Sequence, residues 1–264
     1  MEVRTPGEVA QLSLKVGETK SNLTKSGIGR LIVLSVLAGC YIALGGVLSL
    51  VVGFGFPEAT SGNPALQRLL SGAMFPIGLI LVVVLGAELF TGNNALLVPA
   101  FMKGHYGIGI VIKNWSIVYV GNFIGAVGFA WLMVYTAGLT APEPWHSAII
   151  GMAKAKVSMG WLTVFVKGIG ANWCVCLAVW LALSGRTLID KMAACWLPVM
   201  AFVALGYEHS IANMFFIPTG MMEGADVSVG EFVWRNLVPA TLGNIAGGAL
   251  FVGCVHAWLH LRRH

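Results

Sequence analysis

GYEHSIANMFFIP, residues 206–218, sets Glu208, His209 and Asn213 inside what is otherwise one long apolar run. An ionisable group at membrane depth is costly to keep there, so such a cluster is a functional-site candidate by default. A second stretch mirrors the first. In GAELFTGNN, residues 86–94, Gly86, Glu88 and Asn93 repeat the spacing of Gly206, Glu208 and Asn213, again in the middle of an apolar run. Two matched interruptions are the pattern of a site built between the halves of a transporter or channel, where discontinuous helices meet.

The surroundings are those of an integral membrane protein. Hydrophobic residues make up 57 % of the 264 positions and charged residues 10 %, and the mean hydropathy is +0.82, far from soluble-domain averages. That length gives room for six helical spans of about 20–25 residues with short connections, and none for a separate soluble domain. The formal net charge of +5 is scattered over span ends. Without a basic patch or motif it predicts topology and no nucleic-acid partner. The five cysteines, Cys40, Cys174, Cys176, Cys195 and Cys254, all fall in apolar segments, so disulfides are not expected. Cys174 and Cys176, two apart on a helix, point to different faces and have no second ligand pair nearby, so neither a metal nor a cofactor is expected. Residues 1–30 lack the apolar core of a signal peptide, and no cleavage is expected.

Those first residues are polar and basic, yet Val9, Leu12, Val16 and Leu23 recur near helical spacing. They predict a short amphipathic helix at the membrane surface, either anchoring the chain or covering a pore mouth. Apolar segments follow at about 31–53, 69–102, 108–137, 157–183, 192–222 and 232–259. The second is too long for one straight span and is expected to break near Gly86–Asn94, where Gly92 with Asn93 and Asn94 favours a turn over continued helix. Unwound backbone in hydrocarbon is tolerated only where protein or a water-filled cavity satisfies it, so this break should face a pore. Between the third and fourth spans a polar connection carries Pro142, Glu143, Pro144 and His146, then Lys154 and Lys156.

An internal repeat organises these spans. Lys113-Asn114 followed by Gly121-Asn122-x-x-Gly125 recurs as Arg235-Asn236 followed by Gly243-Asn244-x-x-Gly247, an offset of 122 residues (235 − 113), close to the 120 (206 − 86) at the two interruptions. Each half holds three spans, an odd number, so the second half enters the membrane from the opposite side. The predicted fold is all-α and integral to the membrane: six transmembrane helices as two inverted three-helix repeats, with the second and fifth broken. Residues 1–30 form a cytoplasmic amphipathic segment, and 31–264 form one transmembrane channel domain, with repeat one at about 31–137 and repeat two at about 157–260. The N-terminal segment, the loops after the second and fourth spans and the C-terminus hold most Lys and Arg, including Arg262 and Arg263, whereas the opposite side holds Arg68, Lys154, Lys156 and Arg235. By the positive-inside rule both termini are cytoplasmic.

Several side chains are candidates for chemistry. His209, with an ordinary pKa of about 6.5, can act as donor, acceptor or cation beside an anion path, or else rest as a neutral ring satisfied by Asn172 or a carbonyl. Thr91 in the mirrored break can donate to a small anion or to His209, or cap a half-helix. Glu88 and Glu208 are expected to fix each break by accepting from freed backbone amides rather than to meet an anionic substrate. Lys156 can raise local anion concentration in an outer vestibule or snorkel at the interface. Lys167 lies deeper, and Glu88 or Glu208 is its expected partner. His256, His260 and His264 share one helical face, which is expected in the cytoplasmic headgroup region rather than on a metal.

At these residues the sequence resembles the formate/nitrite transporter family. The matching stretches are GAELFTGN at 86–93, KNW and GNFIGA within 113–126, NWCVCLAVW at 172–180, GYEHSIANMF at 206–215 and GNIAGG at 243–248. The resemblance covers nearly the whole chain from about residue 30. Aquaporin itself is disfavoured because Asn-Pro-Ala occurs once, at 63–65, and not as a pair. The resemblance implies an aquaporin-like protomer, a homo-pentamer and a pore through each protomer. It implies Thr91 and His209 at the polar centre, Asn172 nearby and Lys156 in the outer vestibule. It also implies apolar constrictions at Phe75 and Phe202 on one side, and at Leu79, Leu89 and Val175 on the other. Substrates in the family are small monovalent anions of weak acids, among them formate, nitrite and hydrosulfide, and this sequence does not separate them. A mechanism follows from chemistry: apolar slits charge a bare anion a desolvation cost that a neutral weak acid escapes. Flux is then proton-coupled, with protonation near His209 and Thr91. A neutral-solute channel for water or ammonia is the alternative, opposed by Lys156, and no nucleophile set supports an enzyme. The expected location is a bacterial or archaeal inner (plasma) membrane, with lipid as the surrounding partner.

Overall fold

The computed structural model describes residues 3–261, and every regular element among them is helical. The expectation for Arg262, Arg263 and His264 lies outside these described residues. Helix α1 (Pro6–Ser26) begins at a capping box in which the Glu8 carboxylate accepts from the Thr5 backbone N–H at 2.7 Å and Pro6 occupies the first turn. Then come α2 (Ile28–Phe54) and α3 (Pro64–Leu85), the latter interrupted by a turn at residues 75–76. Past a non-helical link, α4 (Phe90–Leu96) and α5 (Val98–Met102) complete the second crossing. Helix α6 (Ile108–Tyr135) closes the first half.

The second half repeats the plan. A helix α7 (Trp145–Ser158) precedes α8 (Trp161–Ser184), and α9 (Leu188–Ala204) and α10 (Ser210–Met222) form a broken crossing. Helix α11 (Val229–His260) ends the described chain. Five helices, α2, α3, α6, α8 and α11, are long and apolar enough to cross a membrane. The sixth crossing combines α9 and α10, and neither piece reaches that length alone.

Close helix contact explains the glycines of the repeated motif. Helix α2 packs along α6, and α8 along α11. A Cβ on Gly125 would come within 2.0 Å of the Val36 carbonyl oxygen, and one on Gly247 within 2.3 Å of that of Ile169. Any side chain there would force the paired helices apart, which is why small residues mark membrane helix interfaces.

Two sequence expectations need correction. Gly92, Asn93 and Asn94 do not form the turn: they lie inside α4, and the break is the preceding link around Gly86 and Glu88. The Asn93 amide donates to Glu88 and Asn114, and Asn94 Oδ1 accepts from Asn172, so neither side chain competes for the helix's own ladder. The expected connection between the third and fourth spans is also largely helical, because α7 occupies it and α8 starts only at Trp161. Lys156 therefore sits on the last turn of α7. The expected surface helix α1 is packed against α2, α5, α6 and α8, with Val9, Ser13, Gly17 and Lys20 on its buried face.

Candidate functional site

Each break begins at a glycine in the left-handed region, Gly86 at φ +73° and Gly206 at φ +70°, a conformation that costs other residues about 1 kcal/mol or more. The next residues run extended, and the new helix starts from Leu89 (φ −106°, ψ 126°) in one half and His209 (φ −105°, ψ 115°) in the other. Leu89 and His209 thus hold the same structural position.

Exposed backbone groups at the breaks are met by the asparagines of the repeated motif. Asn122 Oδ1 accepts from the Phe90 N–H at 2.9 Å, and Asn244 Oδ1 accepts from the Ser210 N–H at 2.8 Å. The Asn122 amide donates to the carbonyls of Ser35 and Glu88 at 2.7 and 2.9 Å, and the Asn244 amide to those of Gly168 and Glu208 at 2.8 and 3.0 Å. Each asparagine therefore staples a broken segment to the neighbouring crossing. In a dry interior every such group left unmet would cost about 1–3 kcal/mol.

The two buried glutamates are held differently from expectation. Glu88 accepts from Asn93 Nδ2 at 2.7 Å and from Lys20 Nζ at 2.8 Å. Glu208 accepts from Asn213 Nδ2 at 2.7 Å, Asn236 Nδ2 at 3.0 Å and Lys156 Nζ at 2.9 Å. Their donors are amides and ammonium groups of side chains, not freed backbone amides, because Asn122 and Asn244 already serve the backbone. Lys167 pairs with neither glutamate. Its ammonium reaches Met159 Sδ at 3.6 Å, while its own carbonyl accepts the Glu208 N–H at 3.3 Å.

At the centre, His209 and Thr91 join the two breaks. His209 Nε2 lies 2.9 Å from Thr91 Oγ1, and His209 Nδ1 accepts the Ala212 N–H at 3.1 Å. Because Nδ1 is an acceptor, a neutral ring carries its proton on Nε2 and donates it to Thr91. His209 is 2 % exposed and Thr91 fully buried. Asn172 touches Thr91 rather than His209: its amide reaches the Thr91 carbonyl at 3.2 Å and the Asn244 carbonyl at 2.6 Å.

Two cavities flank this pair. The one on the side expected to be outer, of about 410 Å³, is lined by Arg68, Phe75, Lys156, Lys167, Phe202, Glu208 and His209. Phe75 and Phe202 meet edge to face at 5.8 Å, and Phe202 stacks on His209 at 5.8 Å, so rings cover the polar centre on that side. An inner cavity of about 440 Å³ is lined by Lys15, Lys20, Leu79, Glu88, Leu89 and Lys191. Leu79 and Leu89 are 2 % exposed and face it; Val175 is equally buried but lines neither cavity.

Sequence reading missed several members. Lys20 fills the gap in the apolar stripe Val9, Leu12, Val16, Leu23, where helical spacing would place another hydrophobe, and that gap was the available signal. Asn114, which accepts from Asn93, and Asn236, which accepts from Asn213, stood in the repeated motif without a role. Phe216 had no signal of its own; it stacks on Phe75 at 6.4 Å beneath the Lys156 ammonium. His256 lies against Trp180 at 5.0 Å, and all five cysteines are free thiols.

Comparison with known proteins adds independent information. The family model described as formate/nitrite transporter matches residues 7–258. A probable formate transporter of Methanothermobacter thermautotrophicus is 40 % identical over 98 % of both chains. The formate channel FocA of Escherichia coli (strain K12) is 36 % identical, covering 98 % of this chain and 95 % of that one. Among solved structures, an FNT family ion channel superposes with a TM-score of 0.88 at 29 % identity, over 96 % of this chain and 98 % of that one. A pentameric formate channel with formate bound gives a TM-score of 0.77 at 32 % identity, over 90 % and 99 %.

Proposed function

Because the chain belongs to the formate/nitrite transporter family, we propose that it carries formate across a bacterial or archaeal inner membrane as a homo-pentamer, each protomer with its own pore. Nitrite and hydrosulfide share formate's single charge and small size and are further candidate substrates. The pore runs from the outer cavity, past Phe75 and Phe202, through the His209–Thr91 pair, past Leu79 and Leu89 to the inner cavity, with Val175 backing that inner slit. Both termini are cytoplasmic, and the 1–30 segment lies across the inner mouth of the 31–264 channel domain.

The observation that carries this reading is a buried His–Thr hydrogen bond between two cation-lined cavities, with His209 lining the outer one beside Phe75 and Phe202, and Leu79 and Leu89 lining the inner one. Three cations, Arg68, Lys156 and Lys167, against one carboxylate, Glu208, give the outer cavity a formal excess of two positive charges (3 − 1), and such a field concentrates anions. That excess favours an anion path over a neutral-solute channel. A bare anion crossing the phenylalanine or leucine slit loses hydration without repayment, whereas the neutral acid does not. The anion therefore takes a proton from the water of the outer cavity, which His209 lines, before it crosses either slit. His209 Nε2–H occupies Thr91 Oγ1, which leaves the threonine's own hydrogen for a substrate oxygen, and Asn172 holds the Thr91 carbonyl in place. Glu88, Asn93, Glu208 and Asn213 fix the two breaks. Uptake of radiolabelled formate into proteoliposomes tests this. Flux that rises as pH falls in the wild type, and loses that dependence in His209→Asn, is expected; unchanged pH dependence in the variant overturns the proton step.

A further inference from the structure

We propose that Lys167, not Lys156, is the residue that binds the substrate anion in the outer vestibule. The assignment rests on the anion-transport reading above and deepens it. Lys156 is only 15 % exposed, and its ammonium is cancelled by the Glu208 carboxylate at 2.9 Å. Seen from the cavity, that pair is a dipole, whose field falls off faster with distance than that of a single charge. Lys167 lines the same cavity and forms no ion pair among the described residues; its ammonium contact is the soft, uncharged sulfur of Met159. A lysine in a membrane-spanning helix without a counter-ion is costly unless it faces water. Its position, at the wall of an open cavity beside the Phe202–His209 entrance, gives the unpaired charge a task. An anion held there waits above the phenylalanine slit with its charge compensated.

The inverted repeat supplies a control within the molecule. Lys167 gives its carbonyl to the Glu208 N–H as Leu34 gives its carbonyl to the Glu88 N–H, so the two residues occupy matching places in the two halves. Leu34 does not line the inner cavity. The scaffold therefore accepts an apolar side chain at this place, and the lysine is an addition to the outer side. Arg68, exposed at the same cavity and also without an ion pair among the described residues, stands at its rim.

The test is formate flux in proteoliposomes of uniform orientation, measured from the vestibule side against concentration and ionic strength, for wild type, Lys167→Met and Lys167→Arg. Lys167→Met is expected to raise the half-saturating formate concentration from this side about fivefold, to keep the maximal flux and to flatten the salt dependence, since one screened charge has been removed. From the opposite side its half-saturation should match wild type, and Lys167→Arg should restore both properties. Unaltered half-saturation and salt dependence in Lys167→Met overturn the assignment while leaving the transport function intact. Loss of maximal flux at unchanged half-saturation overturns it too, by marking a structural lysine. Absence of formate flux in the wild type from either side would remove the functional reading itself.

Discussion

The two breaks have nearly superimposable backbones and different chemistry. Each has its left-handed glycine, its asparagine staple, and its buried glutamate tied to an asparagine and a lysine, Lys20–Glu88 in one half and Lys156–Glu208 in the other. Yet the residue that opens the new helix is Leu89 in one half and His209 in the other, and the residue whose carbonyl accepts the glutamate N–H is Leu34 against Lys167. Duplication built the scaffold, and departures from the duplicate placed the chemistry. What the halves share should govern whether the protein folds, and what they do not share should govern what it carries.

The shared part gives the largest expected effects. Glu208→Leu and Glu88→Leu each leave a lysine ammonium without its carboxylate and take one acceptor from an asparagine amide, a loss of about 3–5 kcal/mol for a broken buried pair. Both variants should show markedly reduced thermal stability and recovery of assembled protein in detergent, to a similar degree. If only one of them does so, the structural equivalence of the breaks fails. Next comes the unshared part. Leu89→Ala opens the inner slit and should weaken discrimination between formate and larger monocarboxylates in flux assays, with a stability loss of about 2–3 kcal/mol. The pH dependence should stay as in the wild type, because the histidine is on the other break. A changed pH profile would mean that the slit, not His209, sets it.

The smallest expected effect lies at the start of α9. Thr187 Oγ1 accepts from the Asp190 N–H at 3.1 Å, and the Asp190 carboxylate accepts from the backbone amides of Thr187 and Arg186. Those amides hold the Asp190 carboxyl below its usual range. A lowered pKa in the folded state means that its contribution is complete above the ordinary carboxylate value and is lost as pH falls through the lowered one. Thr187→Ala should cost about 1 kcal/mol. Thermal melts followed down the acid range should show that the deficit narrows as Asp190 takes its proton.

Much of this was legible along the chain. The spacing of Gly86, Glu88 and Asn93 against Gly206, Glu208 and Asn213, with the repeated asparagine-glycine motif, gave two inverted three-span halves, because a duplicated scaffold repeats its sequence intervals. His209 and Thr91 were legible as polar residues in apolar runs, since buried polarity is costly enough to be noticed. The extent of the first break was not: the expected 86–94 is helical again from Phe90. Gly92 and two asparagines look like turn formers by local preference, and only the partners supplied by Glu88, Asn114 and Asn172 let them stay helical.

Pairing of charges was also beyond local reading. Lys20 and Glu88 are 68 residues apart, and Lys156 and Glu208 are 52 apart. No interval in the chain distinguishes Lys156, which is neutralised, from Lys167, which is not. Sequence alone determined the number of crossings, their inverted order and the polar residues at the centre, because these follow from hydrophobic length and from an internal repeat. The tertiary structure decided which lysine meets which carboxylate, which side chains wall the two cavities and how soon the helix resumes after the first break. Those outcomes depend on distances between segments that meet only when the bundle closes.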